Sequence, residues 1–218
     1  MTIGKGTTWG SPGALPPGSP IVDDDQALRV LVVSAMRNGT NLPPIGLAGG
    51  SLWRTLGGPS SGRRLGRLGV GQGCSETVGE PDTSLPMHLP VDVIEAHLDG
   101  TPSWFVASLV AHDRLRRFWL VAMNAQFVGS YQLGPRAHPG DGLVDVFSGK
   151  LGWQELAEVA RRATNGAHLP HPSIAVGRVA AHEVEFATRV RVSLDGSSVG
   201  SVRHLRLTVL PDAITVVV

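Results

Sequence analysis

The chain has 218 residues, enough for one domain with a sizeable core or for a domain joined to a smaller lobe. With 19 basic and 18 acidic side chains it carries no whole-molecule field that would draw it to nucleic acid. Its 28 glycines and 16 prolines argue many turns between short strands, and its single cysteine, Cys74, excludes an intramolecular disulfide framework and fits a reducing compartment.

Glycine, proline and threonine dominate Met1 to Pro20, where a secretory signal would need a basic start and an apolar core. No apolar run approaches the roughly 20 residues that span a bilayer. The expectation is a cytoplasmic protein whose membrane contact is at most peripheral. Gly4-Lys5-Gly6-Thr7-Thr8 lacks the full spacing of a phosphate loop, so the segment reads as an extended arm lying across the body through Trp9.

Leu28, Leu31, Val32 and Ala35 recur at helical spacing, with aspartates before them and Asn38-Gly39 after, which predicts a helix over 24–37; LRVLVV alone also reads as a buried strand. Ile45 to Ala48 predicts a short strand, followed by a glycine pair and a brief helix capped by Ser51 and stopped by Gly57. Such a turn aims unpaired N–H groups outward, which makes Gly49, Gly50 and Ser51 a candidate phosphate or nucleotide site. A tight turn before a packed helix explains the same residues. Residues 59–90, with Arg63, Arg64 and Arg67 among glycines and serines, read as connecting strands and loops. The arginines are either a solvated face or a contact for anionic lipid headgroups.

From Leu89 the pattern is β. Val91, Val93 and Glu95 alternate with Asp92 and Ile94 as in a strand with one face covered, and Asp99-Gly100 predicts a hairpin. The aromatic-rich runs around Trp104, Phe105, Phe118, Trp119 and Phe127 read as core or as the lining of a slot for an acyl chain. Val121 to Phe147 predicts strand, shaped loop, strand. Within it, prolines fix φ and glycines permit positive φ around one carboxylate, Asp141. Such a loop suits a hard cation with oxygen ligands, or is the tip of a β-turn.

Leu151 to Thr164 is the clearest helix, with Leu156, Val159, Ala160 and Ala163 on one stripe. His168 and His171 follow without a Cys or carboxylate at ligand spacing and read as turn and packing residues. The tail predicts strands over Ile174 to Ala180, His182 to Phe186, Arg189 to Leu194, Ser201 to Leu210 and Ala213 to Val218, with Asp195-Gly196 as a hairpin turn.

Three words in this order resemble the diacylglycerol kinases, sphingosine kinases and related bacterial lipid kinases. Gly134-Pro135-Arg136-Ala137 with Gly140-Asp141-Gly142-Leu143-Val144-Asp145-Val146 is similar to their "APDA…DDGLLDV", with Arg136 in place of an Asp. HLPHPSIAV, from His168, resembles "GKHLKHPKV". Val192-Ser193-Leu194-Asp195-Gly196, with LPDAITVVV near the end, resembles "vxvDGE" and the closing strand, with Ser197 in place of the Glu. IGLAGGSLWRTLGG resembles "IGIIPLGTGNDLARTLG" at its ends only, and no GGDGT is found.

The resemblance implies an α+β, mainly β fold: a lipid-kinase-like C-terminal β-sandwich with helical insertions over 91–218, a connecting segment over 59–90, and a truncated α/β lobe with its arm over 1–58. It implies Asp195 as candidate general base, a weak phosphate site at Gly49, Gly50 and Ser51, and a structural Mg²⁺ held by Asp141 and the backbone carbonyls of His138 and Leu143. Because an ATP site must neutralise several phosphate charges and these residues do not supply the groups, ATP is not expected to bind. The function expected is binding of a lipid or phosphorylated ligand with kinase activity weakened or lost. The alternatives are an active ATP-dependent lipid kinase and a scaffold subunit of a homo-oligomer or partner complex.

Overall fold

The computed structural model describes residues 9–58 and 86–218. The words at 4–8, Cys74 and the arginines of the connecting stretch lie outside the described residues.

The arm enters through two short strands, β1 (Ser11–Pro12) and β2 (Ile21–Val22), each laid on an edge. Helix α1 (Asp25–Asn38) follows the helical spacing of its apolar residues: Leu28, Val32 and Ala35 are buried, Asp24 caps the start, and Gly39 ends it at φ 62°. Strand β3 (Ile45–Leu47) runs parallel to β2, and helix α2 (Gly50–Thr55) follows.

The remaining strands are β4 (Met87–Leu98), β5 (Thr101–Phe105), β6 (Ser108–His112), β7 (Phe118–Met123), the small hairpin β8 (Phe127–Val128) and β9 (Tyr131–Gln132), β10 (Val144–Lys150), β11 (Ile174–Val179), β12 (Ala181–Leu194) and β13 (Ser197–Val217). Helix α3 (Trp153–Ala163) joins β10 to β11. The main sheet runs β1-β4-β13-β12-β6-β7-β10-β11, with β5 also on β4 and β3 parallel to the end of β13. It curls over one core in which Ile94, Phe105, Leu109, Leu120, Val192 and Leu207 meet. A second core holds α1, β3 and α2 against β4 through Leu28, Ile45, Leu52, Val91 and Trp104. Among the described residues no helix is long and apolar enough to cross a membrane.

Two expectations change. The tail forms two long strands instead of four shorter ones. β13 keeps Leu205, Leu207 and Val209 inward and Arg206 outward, then passes Pro211 in a bulge between Leu210 and Ile214. Proline, lacking an N–H, is tolerated in a strand at such a bulge. Strand β4 is covered on both faces, not one: Val91, Asp92, Val93 and Ile94 are all fully buried, because the curled sheet packs one side and α1 with β3 packs the other.

Candidate functional site

Asp195 and Gly196, at φ 47° and 81°, join β12 to β13 as a two-residue turn with both residues in the left-handed region, the geometry that matches strand twist. The Asp195 carboxylate turns inward. It accepts from the backbone N–H groups of Val106 (2.9 Å), Ala107 (2.8 Å) and Ser108 (2.9 Å), and Asp195 N–H donates to the Ser108 carbonyl at 2.8 Å. These bonds hold the bend between β5 and β6, whose amides have no ladder partner. Asp195 is only 7% exposed. Burial pushes its carboxyl up to about 7, against the pull of the three N–H groups, and Asp25 acts in the same direction as burial. Arg29 of α1 lies near enough to feel Asp195 and is held by the Trp104 carbonyl (2.8 Å) and the Ser103 hydroxyl (3.0 Å).

From this bend a buried polar chain runs to the Asp141 loop. Asn124 N–H donates to the Ala107 carbonyl at 2.9 Å, and its Nδ2 donates to the carbonyls of Val106 (2.8 Å) and Asp92 (2.9 Å). Asp92, at 0% exposure, clamps the loop: its N–H donates to the Pro139 carbonyl (2.7 Å), Oδ2 accepts from Gly142 N–H (2.7 Å) and Oδ1 from Asp212 N–H (2.9 Å). Asp92 stands opposite the β13 bulge, and its side chain takes the Asp212 N–H there. Trp9 of the arm closes the loop from outside. Its indole N–H donates to the Pro90 carbonyl at 3.2 Å and its ring meets His138 edge-on at 4.6 Å. A Cβ at Gly140 would stand 2.5 Å from Trp9 Nε1, so any larger residue there would have to displace the Trp9 ring.

Asp141 Oδ1 accepts from Leu143 N–H at 2.9 Å, and Oδ2 pairs with Arg178 of β11. Asp145, opposite Arg178 in the β10–β11 register, is 3.6 Å from Arg178 Nε. Burial raises the Asp145 carboxyl to about 6, and Arg136 acts the other way.

At the start of α2 the helix is not capped by Ser51. Asp25, from the first turn of α1, accepts from Ser51 N–H (2.6 Å) and Leu52 N–H (2.9 Å). Its carboxyl is raised by burial and pulled down by these two bonds. The glycine pair is explained by the same approach: a Cβ at Gly49 would meet the Asp23 carbonyl at 2.2 Å, and Gly50, at φ 92°, would meet Asp25 at 2.6 Å.

A separate cavity of about 270 Å³ lies between α3 and the face of β7 and β10. Trp119, Val121 and Phe147 form its floor, and Leu156, Val159 and Ala160 of α3 form its roof. The wall is aliphatic and aromatic except for His168, whose ring bonds the backbone of Leu133 and whose Nδ1 has no partner. His168 is 4% exposed, and burial holds its imidazole below the usual histidine range.

Residues 93–218, more than half of the chain, match the family model of the YegS C-terminal NAD kinase beta sandwich-like domain. The chain belongs to this family. A putative diacylglycerol kinase from Bacillus anthracis str. Sterne superposes with a TM-score of 0.62 at 12% identity, over 90% of this chain and 76% of that one. A second putative diacylglycerol kinase from the same organism gives 0.54 at 13% identity, over 80% and 69%. At these identities the likeness is one of fold. A comparison with curated proteins finds no match.

The β-sandwich-like family domain brings Asp195, the bend at 106–108, Asn124 and the Asp141 loop onto one connected polar chain that Asp92, just before the matched residues, completes, and α1 adds Asp25 and Arg29 at its Asp195 end. Asp141, with the carbonyls of His138 and Leu143, is the ligand set that the resemblance implied for Mg²⁺. The residues present do not fit it. Asp141 would be the one carboxylate of the set, it is already neutralised by a guanidinium, and the neighbouring Arg136 replaces an acid. Among the described residues no group of three or more His, Cys, Asp or Glu side chains is arranged to hold a metal. Asp92, Asp25 and Arg178 were missed in the sequence because each acts on a partner distant in the chain. For Arg178 alone there was a local signal, the loss of the Asp at 136 that left unmatched basic residues beside an acidic loop.

Proposed function

We propose that this family member binds a lipid through a single alkyl or acyl chain in the cavity beneath α3, and that phosphoryl transfer from ATP is weakened or lost. The observation that carries the reading is the almost wholly apolar wall of that cavity, between α3 and the face of β7 and β10. Its volume lies just below the roughly 300–1,000 Å³ usual for small-molecule pockets, and such pockets join apolar walls to a few placed polar groups.

Two further observations support the loss of phosphoryl transfer. The N–H groups of Ser51 and Leu52, which would meet a phosphate, carry the Asp25 carboxylate. Asp195, the candidate base, is buried, and both of its oxygens are held by backbone N–H bonds that turn the carboxylate inward, away from a substrate hydroxyl. The test is native mass spectrometry of gently purified protein, together with displacement of a fluorescent fatty-acyl probe by long-chain alcohols and monoacylglycerols. Competitive displacement supports the reading; no co-purifying lipid and no probe binding overturn it.

A second reading is an active lipid kinase, favoured by the Asp195 carboxyl near 7, a suitable value for a base at neutral pH. Calorimetry of ATP with Mg²⁺, with Asp195→Asn in a lipid phosphorylation assay, separates the two. Micromolar nucleotide affinity and a reaction abolished in the variant would establish the kinase.

A further inference from the structure

The Asp141 loop has the features that a hard cation needs from a protein: a loop fixed by prolines and glycines, a carboxylate at its tip and a second one just beyond it. Its shape is set from behind. Asp92 holds Pro139 and Gly142, Trp9 covers Gly140, and Ala137 N–H closes a turn on the Gly134 carbonyl at 2.9 Å. The loop is thus held in place from behind by neutral and acidic groups, and on its other side stand the partly exposed Asp141 and, on β10, the buried Asp145.

Asp145 is buried, and a charge taken out of water is costly to leave unpaired, so a counter-charge is needed on this side of the loop. Arg178 stands on β11 directly across from Asp145, reaches both carboxylates, and makes its ion pair with Asp141. The guanidinium is planar and carries five donors, so one side chain can tie two carboxylates from different segments as a divalent ion does.

We propose that Arg178 takes the place of a divalent cation: its guanidinium is the built-in counter-charge that joins the Asp141 loop to β10 and β11, and it closes to metal a loop otherwise shaped for one. The proposal is independent of the lipid reading, since neither the cavity nor His168 enters it.

The test follows the thermal unfolding midpoint of the full chain in chelator, then with millimolar Mg²⁺ or Ca²⁺, for the wild type, Arg178→Met and Arg178→Lys. Metal content by elemental analysis is the second readout. The wild type should show no bound metal and a midpoint indifferent to chelator and cation. Arg178→Met, similar in length and uncharged, should melt about 2–6 °C lower in chelator and regain most of this with either cation, because a ligand that binds only the folded form stabilises it. The gain should vanish when Asp141→Asn is added. Arg178→Lys should remain indifferent to cation, as it keeps a positive charge at the loop.

A wild-type midpoint that falls in chelator and recovers with Mg²⁺ overturns the proposal. So does an Arg178→Met variant that melts like the wild type, or that never responds to cation. A cation response in Arg178→Lys equal to that of Arg178→Met would show that charge is not what closes the loop, which also overturns it.

Discussion

Asp25, in the first turn of one helix, caps another 26 residues away, accepting from Ser51 N–H at 2.6 Å and Leu52 N–H at 2.9 Å. An acidic group at a helix start is favourable both as a hydrogen-bond acceptor and as a charge against the helix dipole. The same bonds tie α1 to the β3–α2 turn and fill the place where an anion would otherwise bind.

Replacing Asp25 with Ala leaves two amides partly buried and unpaired. The expected loss is about 1–3 kcal/mol of folding stability, read from urea midpoints at constant m. An unchanged midpoint would mean that the amides find water and that Asp25 is not the cap.

Asp92 serves three backbone groups from two segments of the chain, Pro139 and Gly142 in the Asp141 loop and Asp212 in β13. Asp92→Ala should lower stability by about 3 kcal/mol or more, because it strands the Gly142 and Asp212 amides beside a buried void. Hydrogen exchange should quicken at those two amides before it does in the β12–β13 ladder. Uniform acceleration across the sheet would refute a local clamp.

The buried Asp195 predicts a stability that depends on pH with a definite sign. Its folded value, about 7, lies above the unfolded value near 4, so between these limits the folded chain holds a proton that the unfolded chain has released. Its contribution is therefore full below about pH 4, falls as pH rises toward 7, and is constant above. Asp145, at about 6, adds to the same trend over a narrower window. Relative to Asp195→Asn, wild-type stability should decline by about 1 kcal/mol per pH unit across the window. Parallel curves for the two proteins would disprove it.

The cavity offers a variant that removes space without removing structure. Ala160 faces it from α3, and Ala160→Phe should fill it. Binding of a fluorescent acyl probe should weaken by about tenfold or more, equivalent to about 1.4 kcal/mol, while the unfolding midpoint moves little. Equal probe affinity in both proteins would place the ligand elsewhere.

Local order was readable wherever a periodic apolar pattern met a matching cap or turn. The spacing of Leu28, Val32 and Ala35 predicts α1, and the stripe through Val159 and Ala163 predicts α3. Asp99-Gly100 and Asp195-Gly196 both form the expected hairpin turns at positive φ. Where reasoning by pattern failed, the pattern had no access to the second layer. Asp92 looked like the solvent-facing member of an alternating strand, and only the packing of α1 and β3 over β4 buried it.

The site residues divide in the same way. The sequence by itself determined that Asp141 sits in a constrained loop and Asp195 in a tight turn, since glycine and proline act on φ and ψ at their own positions. Their partners were decided by the tertiary structure alone: Arg178 for Asp141, the amides of 106–108 for Asp195, and Asp25 for the turn at Ser51. The physical reason is that turn chemistry is a property of neighbouring residues. The partner of a buried charge is whichever group the curled sheet brings within about 3 Å, here from as far as 120 residues away.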